Sequence, residues 1–124
     1  MLSFLFATAV WGLFAAGVII IAELVVMSVK YLVNYAKEKL KANNQNKVMV
    51  TQTKDLFKEK MKTADRKKLS ELEDLAEECP IITGVYNAET DDIEDIRAIK
   101  TNNVEEKLKT ALNNTEDGML IIEN

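Results

Sequence analysis

From Leu2 to Ala22 the sequence LSFLFATAVWGLFAAGVIIIA contains no charged residue. An apolar stretch of 21 residues leaves few choices, because a small domain has little room to bury a helix that is apolar on every side. A bilayer core of about 30 Å is crossed by about 20 helical residues. The stretch therefore predicts a transmembrane helix, with the window free to slide toward Phe4–Val26 and Glu23 near the headgroups. A cleaved signal peptide fits worse. No lysine or arginine precedes the run, and the small-x-small triplet Ala7-Thr8-Ala9 lies too early for a cleavage site.

Charge divides the rest of the chain. Residues 30–68 hold twelve lysines and arginines against four acidic residues, and residues 69–124 hold four against fifteen. An apolar head, a basic neck and an acidic tail are three physical regions. The expected organisation is a transmembrane anchor over 1–29, a basic helical stalk over 30–80 and a small acidic α+β region over 81–124. Lys30, Lys37, Lys39, Lys41 and Lys47 come directly after the span. By the positive-inside rule they place the C-terminal side in the cytoplasm and the N-terminus outside a cell membrane. A single cysteine, Cys79, agrees with a reducing compartment.

Local periodicity fills in the regions. Val25, Val29, Leu32, Val33, Ala36 and Leu40 form a helical stripe that ends at the Asn/Gln cluster 42–46. KVMVTQT (47–53) reads as a short strand or an extended link. From Lys54 to Cys79 helical spacing continues through Leu56, Phe57, Met61, Leu69, Leu72 and Leu75. Asp65 is placed to cap a second helix there, and Pro80 stops it. IITGVY (81–86) reads as a strand. IEDIRAIK (93–100) alternates without a clean apolar face, with a strand favoured and a hairpin to 81–86 available. NVEEKLKTAL (103–112) reads as a helix, with Asn103 and Glu106 at capping-box spacing. MLIIE (119–123) reads as a final strand.

Histidine is absent, which removes His-dependent triads and Cys/His zinc sites. No nucleophile elbow, P-loop, dinucleotide fingerprint or metal-ligand spacing occurs. The acidic run ETDDIED (89–95) lacks the glycine and closing glutamate of a calcium loop. No enzyme, metal or cofactor is expected. In style the plan resembles small membrane-anchored proteins of bacteria and their phages, a resemblance without residue-level content.

Three functional readings stand. The first is a membrane-anchored adaptor or scaffold that recruits a cytoplasmic protein, working as a homo-oligomer. Thr8, Gly12 and Ala16, small residues on one helical stripe, together with Glu23, are its candidate self-association residues. Lys30, Lys37, Lys39, Lys41, Lys58, Lys60, Lys67 and Lys68 are its candidate lipid or phosphate contacts. Asp91, Asp92, Glu94 and Asp95 are its candidate partner-binding residues. The second reading is a holin-like or toxin-like pore former built on the same stripe and on Glu23. The third is a membrane-tethered nucleic-acid organiser using the lysines of 54–68. One arginine among them, few interleaved aromatics and an acidic tail argue against a nucleic-acid partner.

Overall fold

Gly17 decides how the apolar opening folds. In the computed structural model, which describes residues 2–115 and 117–124, Gly17 has φ +72°. Its N–H donates to Phe14 O, and the Val18 N–H donates to Leu13 O. This paired closure around a left-handed glycine ends a helix and satisfies its last carbonyls. The run Val18–Ile21 beyond it is β-branched, which favours a strand. The opening is therefore two elements, α1 (Leu2–Ala16) and β1 (Ile20–Glu23).

This overturns the transmembrane anchor. Among the described residues no helix is long and apolar enough to cross a membrane. Helix α1 has 15 residues, short of the roughly 20 a bilayer core requires. The single-pass placement in a cell membrane, N-terminus outside and C-terminus cytoplasmic, rested on that span and falls with it.

The remaining elements are α2 (Val29–Ala42), β2 (Lys47–Gln52), α3 (Thr53–Leu56), α4 (Lys58–Thr63), α5 (Arg66–Glu78), β3 (Ile81–Asn87), β4 (Asp92–Lys100), α6 (Glu106–Asn113) and β5 (Met119–Ile122). Among the described residues the strands form one mixed sheet in the order β1-β4-β3-β2-β5. β1 runs parallel to β4, and the other neighbours are antiparallel.

Strand alternation sends successive side chains to opposite faces. Val48 and Val50 of β2, Ile81 and Val85 of β3, and Ile99 of β4 join Leu32, Tyr35 and Ala36 of α2 and Leu108 and Leu112 of α6. Met49, Ile82, Ile96 and Ala98 join Phe6 and Val10 of α1, Phe57, and Leu72 of α5. The result is a sheet with a helical layer on each face, α2 and α6 on one, α1 and α3–α5 on the other. The expected basic helical stalk is thus also corrected. Residues 30–80 hold helices on both faces of the sheet and, in β2, one of its inner strands.

Other expectations meet the structure more closely. Asp65 caps α5, its Oδ1 accepting from the Lys68 N–H at 2.8 Å. Asp65→Ala should lower the unfolding free energy by about 1 kcal/mol, read as a lower urea midpoint at unchanged slope. The Asn103–Glu106 capping box is not formed, since α6 starts after Glu105 without a side-chain cap. Glu105 Oε1 instead accepts from the Val29 N–H at 3.3 Å, serving the start of α2.

Candidate functional site

Two parts of the surface depart from an ordinary solvated exterior. The first is built by α1 and β1. Phe6 and Val10 are fully buried and hold α1 on the sheet. The opposite side of α1 carries Phe4, Leu5, Thr8, Gly12, Ala15 and Ala16, of which Phe4 and Leu5 are exposed large apolar residues. Thr8, Gly12 and Ala16 thus lie together away from the sheet, and a side chain added at Gly12 would meet nothing within 4 Å. The exposed apolar surface continues along the chain past Gly17. Val18 is 58% exposed, Ile20 59%, Ile21 47% and Val25 91%. β1 is also an edge strand, so one side of its backbone is unpaired among the described residues. Glu23 closes the strand and lies 3.7 Å from Lys100 Nζ. The pore-forming reading drew on the Thr8/Gly12/Ala16 stripe and on this carboxylate, and Glu23 stands at the end of a strand.

The second part is a half-buried polar cluster that sequence reasoning missed. Thr83 pairs with Arg97 and Val85 with Glu94, so Gly84 faces both Asp95 and Ile96 across a β-bulge. Asp95 has φ +51°, a left-handed conformation that aspartate tolerates better than most residues. The bulge turns its carboxylate toward α2. There Asp95 Oδ2 accepts from the Tyr35 hydroxyl at 2.6 Å and from Lys39 Nζ at 3.0 Å, while Oδ1 accepts from Arg97 Nε at 3.0 Å. Lys39 Nζ and the Arg97 guanidinium also sit 5.5 and 5.6 Å from the Tyr35 ring centre. Burial raises the Tyr35 hydroxyl above its ordinary value, and the Asp95 carboxylate raises it further. Burial pushes the Asp95 carboxyl up too, but the donors from Tyr35 and Lys39 and the Arg97 charge outweigh it and hold it below the usual range.

The other sequence-nominated residues scatter. Asp91, Asp92 and Glu94 are exposed around the β3–β4 hairpin, with Asp91 accepting from the Tyr86 hydroxyl. They are separated in role from Asp95, whose carboxylate is taken up inside the molecule. Lys30, Lys37 and Lys41 are exposed on α2, and Lys39 is drawn to Asp95. Lys58 and Lys60 lie on α4 and Lys67 and Lys68 in the first turn of α5, beyond the other face of the sheet. The nominated lysines therefore form two groups. The second group has aromatic company from α1: Lys60 Nζ lies 5.0 Å from the Trp11 ring centre and Lys68 Nζ 5.3 Å from that of Phe14.

An open groove of about 890 Å³ lies where β1 and β4 end side by side, between Glu23 and Lys100 and the end of α5 at Glu77 and Glu78. Among the described residues no cluster of acidic or cysteine side chains could hold a metal ion. Cys79 is fully buried, and burial raises its thiol above the ordinary value.

Comparison with protein-family models, curated proteins and solved structures finds no match for this chain. The functional reading therefore rests on the surface itself.

Proposed function

We propose that the chain is a non-catalytic adaptor that acts in self-associated form, bringing copies together through its α1–β1 surface and presenting charged surface to a protein partner. The observation that carries this reading is the run of exposed aliphatic side chains Val18, Ile20, Ile21, Val25 and Val26 beside an open strand edge. Isolated exposed apolar residues are ordinary on a protein surface. A contiguous group beside unpaired backbone marks an interaction site. The exposed carboxylates Asp91, Asp92 and Glu94 at the hairpin are the surface offered to the partner.

The test is light scattering on the purified chain across a range of concentrations. Multiples of the 14.0 kDa chain mass are expected, and a monomer at every concentration overturns the reading.

One observation favours a second reading. Lys60 and Lys68 over Trp11 and Phe14 combine cations with aromatic rings, the pairing that proteins use on single-stranded nucleic acid. Under that reading, changing Lys58, Lys60, Lys67 and Lys68 to alanine weakens binding to an oligonucleotide and flattens its salt dependence. The log–log slope should fall by about 0.7 for each phosphate that a lysine no longer neutralises. Binding that ignores salt removes this reading.

A further inference from the structure

The direction of the free groups on β1 is fixed by a single hydrogen bond. The Leu24 N–H donates to Lys100 O at 2.9 Å, so Leu24 points its backbone groups at β4. The N–H and C=O of one strand residue point to the same side, and the side alternates with each residue. Ala22 therefore also points at β4, in keeping with its register opposite Ile99. Ile21 and Glu23 point theirs outward, where no described residue pairs with them.

We infer that β1 pairs antiparallel with β1 of a second copy, about a two-fold axis at Ala22, to give one sheet running through both chains. This rests on the self-association proposed above and assigns its geometry. The register is set by the outward groups. In an antiparallel pair, residues that exchange both hydrogen bonds must each point at the partner. Ile21 then faces Glu23 of the other copy, Glu23 faces Ile21, and Ala22 faces Ala22.

Three features of the strand suit this occupant. The position at the axis is a pair without mutual hydrogen bonds, where side chains approach most closely, and it is held by alanine. The one charge on the strand, Glu23, lies diagonally across the axis from its copy, about 8 Å apart by strand spacing, and each copy carries its own Lys100 as counter-charge. In this register Ile20 lies opposite Leu24 of the other copy on one face and Ile21 lies beside the methylene stem of Glu23 on the other, and both isoleucines are more than 40% exposed in the single chain. A strand of four residues falls short of the roughly 800 Å² per partner of a standard interface. The end of α1 at Ala15 and Ala16, which leads into β1 through Gly17, supplies further exposed apolar surface.

The register makes a sharp test with the full chain. Antiparallel residues at a pair without mutual hydrogen bonds have Cα atoms about 4.5 Å apart, within disulfide range. Ala22→Cys should therefore form a disulfide-linked dimer under copper–phenanthroline oxidation, while Ile21→Cys, whose partner position is Glu23, should not. The native Cys79 is fully buried and gives the background rate in the unsubstituted chain. Ile21→Pro removes an outward N–H and an interface side chain but no hydrogen bond to β4, a change an edge strand tolerates. It should raise the dimer dissociation constant at least about 100-fold, roughly tenfold for the donor removed from each copy. Ile121→Lys on the opposite edge strand should leave the dimer unchanged.

A dimer that persists in Ile21→Pro, with no crosslink from Ala22→Cys, overturns the β1 pairing and leaves self-association standing through another surface. A chain that is monomeric throughout overturns both. If Ile21→Pro does not fold, the contrast between the two cysteine variants decides.

Discussion

Phe6→Ala should lower the unfolding free energy of the whole domain by about 3–5 kcal/mol, the cost of emptying a fully buried aromatic site. Phe6 is 0% exposed and lies against β3, where a side chain added at Gly84 would come within 2.8 Å of its ring. That closeness makes Gly84 a packing requirement. Gly84→Ala should cost about 1–3 kcal/mol because the ring must shift in a filled core. The two effects should not add. In the Phe6→Ala background the methyl at Gly84 enters the space the ring has left, so the double variant should be more stable than the sum of the single changes. Urea unfolding of the four proteins reads the coupling. Full additivity, or a Phe6→Ala variant that unfolds like the parent, would mean that α1 does not pack on the sheet.

The second large effect belongs to Asp95. Asp95→Ala leaves the Tyr35 hydroxyl, Lys39 and Arg97 without their shared acceptor, and forces a side chain less tolerant of positive φ into the bulge. A loss of about 2–4 kcal/mol is expected from the unpaired groups and the backbone strain together. Asp95→Asn keeps the shape and the tolerated backbone, so it should fall between parent and alanine. The pH dependence has a definite sign. The folded Asp95 carboxyl is held below its ordinary value. Its contribution is therefore complete above the unfolded value of about 3.9 and is lost as the pH falls through the lower folded value. Asp95→Asn should flatten that acid limb. For Tyr35, raised when folded, the contribution holds below the unfolded value of about 10 and is lost as the pH rises through the folded one. Tyr35→Phe should remove that alkaline limb.

Much of the fold can be read from local signals. The stripe through Leu32 and Ala36, the Asp65 cap, the stop at Pro80 and the β-branched run at Ile81 each act within a few residues, and the elements appear where those signals put them. The opening failed for a physical reason. Length and hydropathy describe a membrane span and a helix followed by an edge strand equally well, and only the closure at Gly17 separates them. The strand favoured at 93–100 is present as β4, paired antiparallel with β3, but its apolar face could not be read. The bulge at Asp95 shifts parity by one, so Ile93 and Ile96 share a core face that alternation would deny them. The Asp95 cluster was illegible for the same reason. Tyr35, Lys39, Asp95 and Arg97 come from two segments far apart in sequence, and the bulge alone aims the carboxylate between them. The acidic character of Asp91, Asp92, Glu94 and Asp95 could be read. The inward turn of the last of the four could not.

The parallel pairing of β1 with β4 bears on how the domain assembles. Ile20–Glu23 pairs with Arg97–Lys100, and Phe6 rests over Gly84. The apolar opening is synthesised before the segments that cover it, so it stays unprotected while most of this domain is still being made. Contacts so distant in sequence form late and slowly. The nascent chain should therefore depend on a chaperone at the ribosome during that interval, and refolding at high concentration should lose material to aggregation through this segment first.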